Sequence, residues 1–111
     1  IEVLIIAEDP ANNFSPFSCT ITQYIAPGGF VVRVDTHTHQ GWTVSPNYDS
    51  LIAKLIVHQK TRAEAIATMR RALQEFIIRP IKTTIPACLE ILSHNLFVKG
   101  KVDTGFVERN L

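Results

Sequence analysis

At Thr61 the spacing of apolar residues changes, and that change constrains the chain more than any other feature. Before it, apolar residues form short runs or alternate with polar ones, as in "VLIIA" (3–7), "FVVRVDT" (30–36) and "LIAKLIVHQ" (51–59). After it, Ile66, Met69, Leu73, Phe76 and Ile77 recur every three or four residues. A period of two places alternate side chains on one face of a strand, and a period near 3.6 places them on one stripe of a helix. Thr61 followed by Glu64 is a capping box, in which the threonine oxygen takes the third free N–H of the helix. Arg70, Arg71, Gln74 and Glu75 form the outward face, and Pro80 closes the segment.

The strands upstream follow from the same reading. Ile1–Ala7 is a short aliphatic run stopped by Asp9-Pro10, which predicts a buried strand. Residues 11–18, rich in Asn, Ser and Pro, predict a loop. Cys19–Ile25 and Phe30–Thr36 both alternate, and "APGG" (26–29) between them predicts a turn and an antiparallel pair. A short strand is expected at Trp42–Val44 and a long one at Leu51–Gln59. Downstream, Thr84 and Pro86 mark a second helix carrying Leu89, Leu92 and Leu96, and Asp103 reads as the N-cap of a short last one. Strands first and helices last predict an α+β fold: a mainly antiparallel sheet with about three helices packed on it.

Length and composition limit the function. A chain of 111 residues is one domain, able to bury a core. Its net charge of +1 gives no electrostatic case for nucleic acid or an anionic membrane surface. The apolar runs are far shorter than the roughly 20 residues of a membrane-spanning helix. Two distant cysteines, Cys19 and Cys88, form no CxxC motif, so a reducing, cytoplasmic setting is expected. Beginning at Ile1 and entering a strand at once, the chain reads as a piece of a longer polypeptide.

No complete reaction centre is legible. Glu8 and Asp9 are adjacent, so on a strand they point to opposite faces and cannot flank one bond; a strand-ending turn is expected. His37 and His39, two apart with Asp35 in phase, have a spacing suited to metal ligation, but no HExxH or cysteine partner accompanies them, and no metal site is expected. "PGG" is not a phosphate-binding glycine pattern, and neither cysteine carries an activation signature.

The strings "AEDP", "APGGFVVR", "YDSLIAKLI" and "AIATMRRALQE", in that order, closely resemble the C-terminal domain of biotin carboxylase, the ATP-grasp component of acetyl-CoA carboxylase and its relatives. The resemblance runs from Glu2 to Leu111. It implies a part of an enzyme that carboxylates biotin with ATP, Mg²⁺ and bicarbonate, and so a setting such as fatty acid biosynthesis. None of those cofactors is expected to be held by this chain alone, which is expected to be inactive by itself. The implied partners are the remainder of biotin carboxylase, the biotin carboxyl carrier protein and a second copy. Tyr48 and Asp49 match the loop beside biotin, Thr104 and Gly105 the stretch near the nucleotide, and Phe30 and Arg33 the dimer interface. Phe30 and Arg33 lie at odd separation, so on a regular strand they would face opposite ways.

The departures from the family pattern are informative. Leu4 occupies the position of an arginine that meets bicarbonate and the enolate-like oxygen of biotin, and Ile6 that of a polar residue. A "PSPG" turn is Pro16-Phe17-Ser18-Cys19, and a helix-ending Asp-Gly or Glu-Gly is Arg79-Pro80. Leucine has no donor with which to stabilise an anion. These apolar changes also fit a second expectation: an isolated or engineered domain that self-assembles through a surface at Leu4 and Ile6 without catalysis.

Overall fold

The computed structural model describes residues 1–12, 15–16, 19–45 and 50–111. Its centre is a three-stranded antiparallel sheet in the order β1 (Glu2–Ile6), β6 (Leu51–Val57), β5 (Val32–Thr36). Two small antiparallel pairs flank it. One joins β2 (Glu8–Asp9) to β3 (Ser15–Pro16); the other joins β4 (Gln23–Ile25) to β7 (Ile77–Arg79). The helices are α1 (Arg62–Glu75), α2 (Ile85–Ser93), α3 (Asn95–Val98) and α4 (Phe106–Asn110). The fold is α+β, as expected.

Period-two alternation decides which side of the sheet is buried. Val3 and Ile5 of β1 and Leu55 and Val57 of β6 point inward and are almost wholly inaccessible. They meet Ile66, Met69, Ala72 and Leu73, the apolar stripe of α1. Each fully buried aliphatic or thioether side chain of this kind contributes about 1.5–3 kcal/mol. Thr61 caps α1 as its spacing predicts: its Oγ1 accepts from the Glu64 N–H at 3.2 Å. The helix stops before Pro80 as expected, but it ends at Glu75: of the predicted stripe, Phe76 is the C-cap and Ile77 has already entered β7.

The predicted hairpin between Cys19–Ile25 and Phe30–Thr36 does not form. β4 pairs with β7, in the register Gln23↔Arg79, Tyr24↔Ile78, Ile25↔Ile77, and β5 pairs with β6. Distant partners win because they bury more. The Tyr24 ring meets Phe76 edge-to-face at 5.5 Å, and Ile78 beside it is buried. Gly29 takes φ 130°, so "APGG" does turn the chain, but it carries it from one sheet to another. Thr43 forms only an isolated bridge with Thr20, in place of the strand expected at Trp42–Val44.

The second predicted helix breaks at His94. That residue ends α2 and caps α3, its Nδ1 accepting from the Leu96 N–H at 3.1 Å. Four α-helices among the described residues replace the three expected. The last begins at Phe106 rather than directly after Asp103, although the Asp103 carboxylate still holds the Gly105 N–H at 3.0 Å.

Candidate functional site

The outer face of the main sheet is open, and its side chains fall in two cross-strand rows. One row is Glu2, Ile56 and Arg33; the next is Leu4, Lys54 and Asp35. Leu4 is 44% exposed although it is aliphatic and lies in the middle of a strand. Directly opposite side chains on one face lie about 5 Å apart at Cβ. The cation nearest Leu4 in register is therefore the Lys54 ammonium, which stands across from Asp35 on its other side and interacts with that carboxylate. Glu8 and Asp9 lie in β2, and Asp9 makes the expected turn: its Oδ1 accepts from the Ala11 N–H at 3.0 Å, and Oδ2 lies 3.5 Å from Lys82 Nζ.

Leu4 is held through its backbone. Thr84 donates its hydroxyl to the Leu4 carbonyl at 3.2 Å and accepts from the Ile6 N–H at 3.2 Å. The Thr84 N–H donates to the Ile6 carbonyl at 3.1 Å. One threonine thus stands in for a neighbouring strand along the free edge of β1. An apolar groove of about 220 Å³ runs beside that edge, lined by Leu4, Cys88, Ile91, Leu92 and Phe97. Burial pushes the Cys88 thiol above its ordinary pKa, which makes it a poor nucleophile at neutral pH.

Phe30 is fully exposed and precedes β5, while Arg33 lies within it. The odd-spacing rule for a regular strand does not apply to this pair, because Phe30 lies outside β5. Strand geometry begins only at Val32, and both residues line one shallow cleft of about 370 Å³ with Ile56 and His58. Arg33 grips Asp35 with two bonds, Nε to Oδ1 at 2.9 Å and Nη2 to Oδ2 at 2.7 Å. That pairing holds the Asp35 carboxyl below the usual range.

His37 and His39 do not share a strand face, because β5 ends at Thr36. Both rings meet Trp42 edge-to-face, at centroid distances of 5.2 and 5.7 Å. Asp35, the third candidate ligand, is already paired to Arg33. Among the described residues no three His, Cys, Asp or Glu side chains stand where they could hold a metal ion. A cavity of about 300 Å³ lies between Trp42, Val44 and Ile52, next in sequence to the segment carrying Tyr48 and Asp49. Those two residues lie outside the described ones.

Thr104 is exposed on the loop before α4. At Gly105 an added Cβ would meet Arg109 Nη1 at 2.6 Å. Arg109 reaches back to the Asp103 carboxylate at 2.6 Å, so glycine at 105 leaves room for this clasp. A larger residue there would have to displace the guanidinium.

Taken by geometry, this is an α+β domain with an open, partly apolar sheet face and no assembled nucleophile–base pair or metal cluster among its described residues. Comparison with known proteins gives the family. Residues 2–109 match the model of the biotin carboxylase C-terminal domain. The chain is 51% identical over 108 residues to biotin carboxylase 1 of Bacillus subtilis, covering 97% of this chain and 24% of that protein. It is 46% identical over 110 residues to the chloroplastic biotin carboxylase of Arabidopsis thaliana, covering 99% and 20%. In structure it matches the biotin carboxylase domain dimer of Hydrogenobacter thermophilus 2-oxoglutarate carboxylase, a complex with MgADP, ADP and bicarbonate. The TM-score is 0.93 and the identity 42%, over 97% of this chain and 24% of that one. The chain belongs to the biotin carboxylase C-terminal domain family. It spans a quarter or less of the length of these curated relatives.

No helix among the described residues is long and apolar enough to cross a membrane.

Proposed function

We propose that this domain walls the biotin and bicarbonate side of an ATP-dependent biotin-carboxylating site and takes part in its homodimer, without catalysing the reaction alone. The observation that carries the reading is coverage: nearly all of this chain aligns with about a quarter of proteins named as biotin carboxylases. The remainder of such an enzyme would supply the ATP and Mg²⁺ site. A biotin carboxyl carrier protein would deliver the biotin.

In this reading Tyr48 and Asp49 face biotin. A carboxylate there can orient an arginine or the ureido ring through charge-assisted hydrogen bonds. Thr104 and Gly105 lie toward the nucleotide. Phe30 and Arg33 anchor the second copy, since an exposed aromatic beside a planar cation is the composition of interface hot spots. Position 4 does not fit an anion. Leu4 offers no side-chain donor, and its carbonyl is taken by Thr84.

The test is to join this chain to the amino-terminal three quarters of Bacillus subtilis biotin carboxylase 1 and follow carboxylation of free biotin. Asp49→Asn in that chimera should lower turnover without releasing the domain. Unchanged turnover would remove Asp49 from the site. A second reading, a self-assembling module, is favoured by the exposure of Leu4 beside the groove at Phe97. It predicts concentration-dependent association of the isolated chain that Leu4→Arg abolishes by placing an unpaired charge in the interface.

A further inference from the structure

A further cleft lies where β7 leads into α2. It has a volume of about 490 Å³ and opens between β7, the 80–84 connection and the start of α2. That volume is in the range of small-molecule sites. Its floor is apolar: Phe76, Ile78 and Ile81, all buried, with Ile85 beside them. Five polar or charged residues line it: Asp9, Gln74, Arg79, Lys82 and Thr83. The Arg79 guanidinium has no partner among the described residues, since only the Arg79 backbone is engaged, its carbonyl accepting from the N–H and hydroxyl of Thr22. The Lys82 ammonium has only Asp9, at 3.5 Å. Thr83 is 8% exposed; its hydroxyl oxygen accepts from the Ile85 N–H at 3.3 Å, and its hydroxyl proton has no acceptor among the described residues.

The α2 backbone offers the cleft little. The Ile85 N–H is taken by Thr83, Pro86 has none, the Cys88 N–H is bonded to Thr84, and Ala87 does not line the cleft. Charge recognition therefore falls to side chains. Arg79 and Lys82 against Asp9 leave one net positive charge, which suits a monoanion better than a dianion. Arg79 stands where the resemblance to biotin carboxylases leads to an acidic residue, so the cation belongs to this chain rather than to the general pattern.

We propose that this cleft binds a small amphipathic carboxylate, its apolar body on Phe76, Ile78 and Ile81 and its carboxylate held by Arg79 with Lys82 and Thr83. The site is independent of the biotin-side reading. A guanidinium holds a carboxylate through two parallel hydrogen bonds, while the apolar floor rewards a ligand with a hydrocarbon body.

The experiment is titration of the 111-residue chain with hexanoate, followed by backbone amide chemical shifts. Saturable shifts are expected at Ile78, Ile81 and Thr83. Hexanol, without the charge, and acetate, without the body, should each bind at least about tenfold more weakly. Hexyl phosphate as the dianion should bind more weakly than hexanoate. Arg79→Gln should weaken hexanoate about tenfold, a loss of one charge-assisted interaction. Asp9→Asn keeps the Oδ1 acceptor for the Ala11 N–H and should strengthen binding, a gain that misfolding cannot produce. Hexanol binding as tightly as hexanoate, hexyl phosphate binding more tightly, an unchanged affinity in Arg79→Gln, or shifts confined to other surfaces would each overturn the proposal.

Discussion

The hydroxyl of Thr84 donates to the carbonyl oxygen of Leu4 across eighty residues of sequence, at 3.2 Å. With the two bonds between Thr84 and Ile6, this ties the start of α2 to the free edge of β1. It fixes the backbone at the position where the family resemblance places an arginine. Thr84→Val removes the hydroxyl and leaves the Leu4 carbonyl and Ile6 N–H without that partner at a part-buried edge. The expected loss is about 1–3 kcal/mol in urea unfolding. Thr84→Ser should recover most of it. Equal stability of Thr84→Val and wild type would show that water serves the edge as well as threonine does.

The α1 cap is separable from that contact. Among the described residues Thr61 Oγ1 accepts from the Glu64 N–H alone, at an exposed helix end. Thr61→Ala should destabilise the domain by about 1 kcal/mol, and Thr61→Asp by much less, because aspartate caps equally well. Circular dichroism of thermal unfolding reads both.

Ionisation at the carboxyl-terminal helix has a defined sign. The Arg109 guanidinium, and then the Gly105 N–H, hold the Asp103 carboxyl below the usual carboxylate range. A depressed pKa in the folded state means that the clasp contributes fully above the ordinary Asp value. Its contribution fades as pH falls through the lowered one. The groups are exposed, so global stability should change little. The side-chain carboxyl resonance of Asp103 should titrate below the ordinary range and return toward it in Arg109→Gln. A titration midpoint unaffected by that substitution would disprove the clasp.

Self-association tests the Phe30–Arg33 cleft. Phe30 is fully exposed, and Arg33 is held upright by Asp35. Phe30→Ala and Arg33→Glu should each weaken the dimer at least about tenfold in sedimentation equilibrium. Arg33→Glu should do more, because it also faces Asp35 with a like charge. A dimer constant indifferent to both would move the interface elsewhere.

Much of this was legible in the residues because it is local. The Thr61–Glu64 spacing, the stripe from Ile66 to Leu73, the aliphatic run of β1 and the alternation in β5 each depend on neighbours within a few positions; that Leu4 in that run would be exposed did not show. What was not legible depended on distant partners. Cys19–Ile25 alternates like a hairpin arm, but nothing near it announces that Ile77–Arg79, some fifty residues on, will take its edge. Phe76 and Ile77 share the helical period, yet the pairing of Ile77 with Ile25 draws the chain into a strand. The spacing of His37 and His39 suited metal ligation without a third partner to complete a site; what the sequence did not show is that β5 ends at Thr36 and that both rings meet Trp42. Thr84 was visible as a helix start; its grip on Leu4 and Ile6 was not, since no short-range pattern marks a residue that completes a strand edge. The family came from motif order, and the departure at Leu4 from comparing single positions within it.

The central claim is that this domain completes a biotin carboxylase and lacks the cation its position 4 would supply. The most direct measurement is bicarbonate-dependent carboxylation of biotin, with ATP and Mg²⁺, by three samples. They are the chain alone, the chain joined to the amino-terminal part of Bacillus subtilis biotin carboxylase 1, and that chimera carrying Leu4→Arg. The expected result is no turnover by the chain alone, low turnover by the chimera, and a rise on the order of one hundredfold on Leu4→Arg, the scale of one anion-stabilising donor. Arginine at 4 would stand beside Lys54, so the rise should come with a small loss of stability rather than a gain. Turnover by the isolated chain, or a chimera that Leu4→Arg leaves unchanged, would contradict the claim.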